Sequence, residues 1–163
     1  MKTRFSITTV VALVIAIMLT ACGASPVAIA DLPKFPDATE LKPGESRIGD
    51  TLQNNMATDA SMRQAAGVGG KTEQIGFSLP VETTWDKVKG FYADKLKAAG
   101  WSEGMGGIAN QVVDVNKMMD VANDQSPIKT TIFSRGNQVL SVIWVQLPTD
   151  DTVKELILSL STR

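Results

Sequence analysis

Residues 138–147 read QVLSVIWVQL, ten consecutive positions without glycine, proline or charge. In a strand, Val139, Ile143 and Val145 fall on one face and Leu140, Val142 and Trp144 on the other, because successive side chains alternate. A run that is apolar on both faces suits a central strand covered on both sides. The stretch therefore asks for a sheet with material packed on each face.

The neighbouring segments supply strand partners. TTIFS (130–134) precedes it, and the Gly136-Asn137 pair between them suits a two-residue II′ hairpin loop. Downstream, ELILSLS (155–161) puts Leu156, Leu158 and Leu160 on one face of a further strand, with an amphipathic helix through Val153, Leu156, Ile157 and Leu160 as the alternative. Upstream, TEQIGFSLP alternates Ile75, Phe77 and Leu79 against Gln74, Gly76 and Ser78 and ends at Pro80. Thr83 with Asp86 resembles a capping box, and Trp85, Val88, Phe91, Tyr92, Leu96 and Ala99 then recur at helical spacing. Gly100 is placed to stop this helix, with Trp101 packing back on Leu96.

Two further segments are open to two readings. Residues 50–66 space Leu52, Met56 and Ala60 as a weak helix, against a polar loop; residues 109–122 space Val112, Val115 and Met119 as a helix, against a strand through QVVDV. The expected fold class is α+β: an antiparallel sheet of about four strands with one or two packed helices, forming a single domain over residues 47–163.

The bulk numbers exclude several functions. The 163 residues carry 16 Lys plus Arg and 17 Asp plus Glu, so no basic excess recruits nucleic acid. There is no histidine, which removes the commonest general base and transition-metal ligand. A single cysteine allows neither an intrachain disulfide nor a Cys-based zinc site, and no cofactor or metal is expected.

That cysteine has a context. Lys2 and Arg4 precede a mostly apolar stretch from Phe5 to Met18, too short for the roughly 20 residues a spanning helix needs. Leu19-Thr20-Ala21-Cys22 follows and resembles the lipobox of bacterial lipoprotein precursors, in which Leu19, Thr20 and Ala21 would be read by the signal peptidase. The family prefers Ala or Ser where Thr20 stands. The resemblance implies a signal peptide over residues 1–21, a diacylglycerol on the Cys22 thiol, and Cys22 as the first mature residue. It also implies a cell-membrane or outer-membrane address, lipid-anchored and facing away from the cytoplasm. Acyl chains contribute about 0.8 kcal/mol per buried CH₂, so two or three of them hold a protein on a bilayer. Loss of Lys2 and Arg4 would lower the formal charge from −1 to −3. Residues 22–46, with Pro26, Pro33, Pro36 and Pro43, read as a semi-rigid tether whose later part could instead be an edge strand. The run ending FYADKLKAAGW (91–101) is similar to a module of small uncharacterised envelope lipoproteins and implies no activity.

Motifs for chemistry are sparse. Ser126 and Lys129 match S-x-x-K without its companion elements, and Asp120, Asn123 and Asp124 cluster without the glycine and distal Glu of a calcium loop. Gly67 with Gly69-Gly70 and Gly104 with Gly106-Gly107 lack the continuation of a phosphate loop. Trp144, Trp101 and Tyr92 exceed what a one-helix sandwich need bury; ordinary core is the first reading of them, and an exposed cluster would instead mark a surface for an envelope protein or a small apolar ligand. The expected function is a non-catalytic binding or scaffolding module of the cell envelope. The alternative is a small envelope hydrolase using carboxylates or the Ser126/Lys129 pair.

Overall fold

The computed structural model describes residues 25–42, 44–46, 49–51, 54, 70–105, 121–124, 126–147 and 150–163. The expected signal peptide, Cys22 and most of the two weaker helices lie outside them. Of those helices, the described residues 49–51, 54 and 121–124 are helical.

Among the described residues the strands are β1 (Thr39–Glu40), β2 (Lys71–Ser78), β3 (Ser102–Glu103), β4 (Ile128–Arg135), β5 (Gln138–Leu147) and β6 (Asp150–Thr162). They form one antiparallel sheet in the order β1-β2-β6-β5-β4-β3. The expected four strands are present, the 155–161 segment is strand rather than helix, and two-residue strands extend each edge. Such short edges leave little unpaired backbone for another chain to add to.

β5 and β6 are the central pair, held in register by Leu140↔Leu160, Val142↔Leu158 and Trp144↔Leu156. Those six side chains share the front face with Phe77 of β2 and Phe133 of β4, and all are buried. Fully burying a Leu or Val contributes about 1.5–3 kcal/mol, so this layer is the main driving force of the fold. The back face buries Ile157, Val145 and Glu155. The turn between β4 and β5 has φ +59 at Gly136, the positive angle that a II′ loop places at its first central residue.

Helix α1 (Trp85–Ala98) lies on the front face and turns Val88, Tyr92 and Leu96 inward. Its cap is Thr84, whose hydroxyl accepts from the Lys87 N–H; the expected capping residue, Thr83, is one position early. Thr83 is buried instead, and its carbonyl accepts from Lys154 Nζ at 2.8 Å, tying the start of α1 to β6. At the other end Gly100 N–H donates to the Lys97 carbonyl at 3.1 Å and Trp101 N–H to the Leu96 carbonyl at 2.9 Å. This is the Schellman pattern, with Gly100 at φ +81 and Trp101 buried in the same cluster as Leu96.

The segment read as a tether is part of the domain from Val27 onward. The Gln138 side chain accepts from Val27 N–H and donates to its carbonyl, both at 2.8 Å, and also donates to Thr162 Oγ1 at 3.0 Å. A 3-10 turn at Ile29–Asp31 follows. Leu32 and Ala38 are then buried, and Phe35 meets Phe91 of α1 edge-on with ring centroids 5.2 Å apart. β1 then pairs with the outer side of β2, as the edge-strand alternative requires. The boundary expected at residue 46 therefore falls inside the fold. Its prolines do not conflict with this, because extended backbone can lie on a sheet face without joining the ladder.

Gln138 is 2% exposed, so its amide has no water to replace these partners. Gln138→Ala is expected to destabilise the domain by about 1–3 kcal/mol in urea unfolding and to end exchange protection at the Val27 amide. Unchanged stability and protection would show that the segment docks without the clamp.

Candidate functional site

Tyr92, Trp101 and Trp144 do not form an exposed cluster. Tyr92 points from α1 into the core with no exposed surface, while Trp144 on β5 and Trp101 after α1 keep 5% and 4%. The sheet has apolar area enough to take all three, so they are core. Trp144 Nε1 and Tyr92 Oη are buried without a hydrogen-bond partner. Burial pushes the Tyr92 phenol well above the ordinary tyrosine range; the Phe35 backbone lies near enough to offset this in part but does not reach hydrogen-bond geometry with the hydroxyl.

One edge of Trp101 reaches a cleft. Ala93, Trp101 and Phe133 give it an apolar floor, and Asp94, Lys97, Ser102 and Glu103 a polar rim. Its volume of about 450 Å³ falls in the range that small-molecule sites occupy. The Schellman turn at Gly100 aims Trp101 into the floor, and the pairing of Glu103 with Phe133 brings β3 alongside. The cleft thus presents one cation and two carboxylates on its rim, over aromatic rings of which only the edges are exposed.

A smaller cleft of about 210 Å³ lies between β1, β2 and the segment after it, lined by residues including Lys42, Ser46, Asp50 and Gln74. Beside it Ser46 Oγ donates to the buried Glu155 carboxylate at 2.6 Å and accepts from Gly49 N–H at 2.7 Å. A Cβ at Gly49 would stand 2.5 Å from Ser46 Oγ, so only glycine fits this packing. Sequence reasoning missed Glu155, although an acid set within ELILSLS carries the same signal that an acid in any apolar run does.

The residues proposed for chemistry have structural roles. Ser126 Oγ accepts from Ile128 N–H at 3.1 Å, and Lys129 Nζ donates to the Asn123 carbonyl at 2.7 Å. Asn123 pairs its side-chain amide with both backbone groups of Thr130, at 2.8 Å each, and so extends the edge of β4. Its carboxamide oxygen is thereby occupied, and Asp120 lies outside the described residues. Among the described residues no group of three acids or cysteines is placed to hold a metal ion. No helix among them is long and apolar enough to cross a membrane. No known family model, curated protein or solved structure matches this chain.

Tyr92 is the one tyrosine of the chain, so phenolate absorbance reports on it alone. The unfolded chain releases this proton near pH 10 while the folded protein keeps it, so stability falls as pH rises above about 10. Absorbance should therefore appear together with alkaline unfolding rather than before it. Tyr92→Phe should flatten that slope while changing stability at neutral pH by less than about 1 kcal/mol, because the hydroxyl has no partner to lose. Ionisation well ahead of unfolding would contradict the buried placement.

Proposed function

We propose that the chain is the precursor of a bacterial lipoprotein, anchored through Cys22 on the outer side of a membrane, whose domain is a non-catalytic binding module. The observation that carries this reading is the run from Lys2 to Cys22, where a basic start, a short apolar stretch and Leu19-Thr20-Ala21-Cys22 stand in register. The domain supports it. Folded structure begins within a few residues of Cys22, and the free thiol that would otherwise precede it has no partner cysteine anywhere in the chain.

The binding role rests on the cleft at Trp101. A rim of Lys97, Asp94 and Glu103 over the exposed edges of Trp101 and Phe133 suits a small polar ligand with limited apolar surface. The engagement of Ser126 with a backbone N–H and of Lys129 with a carbonyl supports binding over hydrolysis, because neither side chain is directed to the other.

Cys22→Ser should abolish metabolic labelling with a fatty acid and move the protein from the membrane fraction to the soluble fraction. Label that persisted in the Ser variant would refute anchoring through Cys22.

A further inference from the structure

The anchor would leave the domain at a defined place. Lys71, Thr162, Gln138 and Arg135 stand opposite one another across β2, β6, β5 and β4, and so mark one end of the sheet. Val27 is clamped at that end by Gln138, whose amide also donates to Thr162 Oγ1. Five residues of extended chain span at most roughly 17 Å, whereas the sheet from Thr162 to Glu155 runs about 23 Å at the rise of a strand. A lipid on Cys22 is therefore confined to the neighbourhood of this end.

The same end is basic. Lys71 and Arg135 close the strands, and Arg163 follows β6, its N–H donating to the Asn137 carbonyl in the turn beside Arg135. α1 runs toward this end and carries Lys95 and Lys97, both exposed, in its last turn. Asp31, exposed on the 3-10 turn four residues after Val27, is the acid nearest the point where the anchor enters; the other acids of this half are set back. Glu73, paired with Lys71, lies opposite Leu160; Glu103 lies opposite Phe133; Asp94 is earlier on α1. The far end mixes charges: Glu82, Asp86 and Asp150 stand there with Lys87, Lys129 and Lys154. Two of those three lysines bind backbone carbonyls.

We propose that the basic end of the sheet, formed by Lys71, Lys95, Lys97, Arg135 and Arg163, rests on the anionic headgroups of the membrane that holds the Cys22 lipid. This deepens the lipoprotein reading and rests on it. The chain is acidic overall, so cations gathered where the anchor enters orient the domain instead of merely attracting it. The Trp101 cleft, whose rim includes Lys97 and Ser102, then opens beside the headgroup layer.

The test uses the full lipidated protein in vesicles of phosphatidylglycerol and phosphatidylethanolamine, with phosphatidylcholine vesicles for comparison. A donor dye is placed at Ser102→Cys, on the basic end, or at Glu82→Cys, on the far end, and energy transfer to a headgroup acceptor is read. Acylated Cys22 carries no free thiol and does not compete for the dye. Transfer should be severalfold stronger from residue 102 than from residue 82 in anionic vesicles. The bias should collapse at high salt, in phosphatidylcholine, and in Lys71→Gln/Lys95→Gln/Lys97→Gln, whose three sites are exposed and tolerate the change. Mass spectrometry of the same preparation reads the Cys22 lipid. Its absence overturns the anchor itself. Acylated protein whose two sites transfer equally, or whose bias ignores lipid charge and salt, overturns the orientation alone.

Discussion

A single helix cannot cover this sheet. An α-helix with its side chains is about 10–12 Å across, while strands repeat every 4.7–4.9 Å, so one helix shields little more than two strands. The front face presents large apolar side chains on four neighbouring strands, from Phe77 to Phe133. α1 covers the side of β3, β4 and β5, which leaves the β2 and β6 side to find another cover. The segment from Val27 to Ala38 supplies it: Val27, Ile29 and Phe35 pack against the core, Leu32 and Ala38 are buried in it, and Lys34 sits over the Phe77 ring. Phe35, Phe91 and Tyr92 form the seam between the two covers, each ring meeting the next edge-on. What looks in composition like a linker is half of the upper layer.

This arrangement makes polar residues at the margins decisive. Gln138 saturates both backbone groups of Val27 where no strand ladder is available, because the segment crosses the sheet instead of joining it. Lys154 performs a related task at the opposite end, holding the carbonyls of Val81 and Thr83 before α1 begins. Asn123 does the same for the edge of β4. In each case a long or amide side chain satisfies backbone groups that no ladder partner reaches.

The central strands were legible because their signal is local. QVLSVIWVQL states both its period and its burial, and the helix from Trp85 announces its face and its stop; ELILSLS fits two periods, and only its place between β2 and β5 makes it a strand buried on both faces. Its cap fell one residue later than the Thr83–Asp86 spacing suggested, since two adjacent threonines offer the same hydroxyl and only Thr84 has its backbone free of the turn to Pro80. β1 and β3 were invisible: two exposed residues each carry no period, and only their pairing makes them strands. The role of residues 27–38 was hidden for a different reason. Proline-rich sequence describes the local conformation correctly but says nothing of what that conformation lies against. Likewise the three aromatic candidates were chosen by surplus area, a quantity that depends on how wide the sheet turns out to be. Trp101 retained a link to a cleft only because a helix-ending turn places it at the margin.

The Val27 clamp also fixes an order of events in the life of the chain. Its two halves are 111 positions apart, and Thr162, which Gln138 also holds, lies 24 positions further on. A polypeptide made from its amino end presents Val27 early and Gln138 and Thr162 late. The upper layer therefore stays open until β6 has arrived, with Leu32, Phe35 and Phe77 uncovered meanwhile. Closing so long a loop is slow relative to forming α1 or the β4–β5 hairpin. Completion of the upper layer is thus a late step in folding, and until it is taken Leu32, Phe35 and Phe77 form a defined apolar stretch that a holding chaperone could guard.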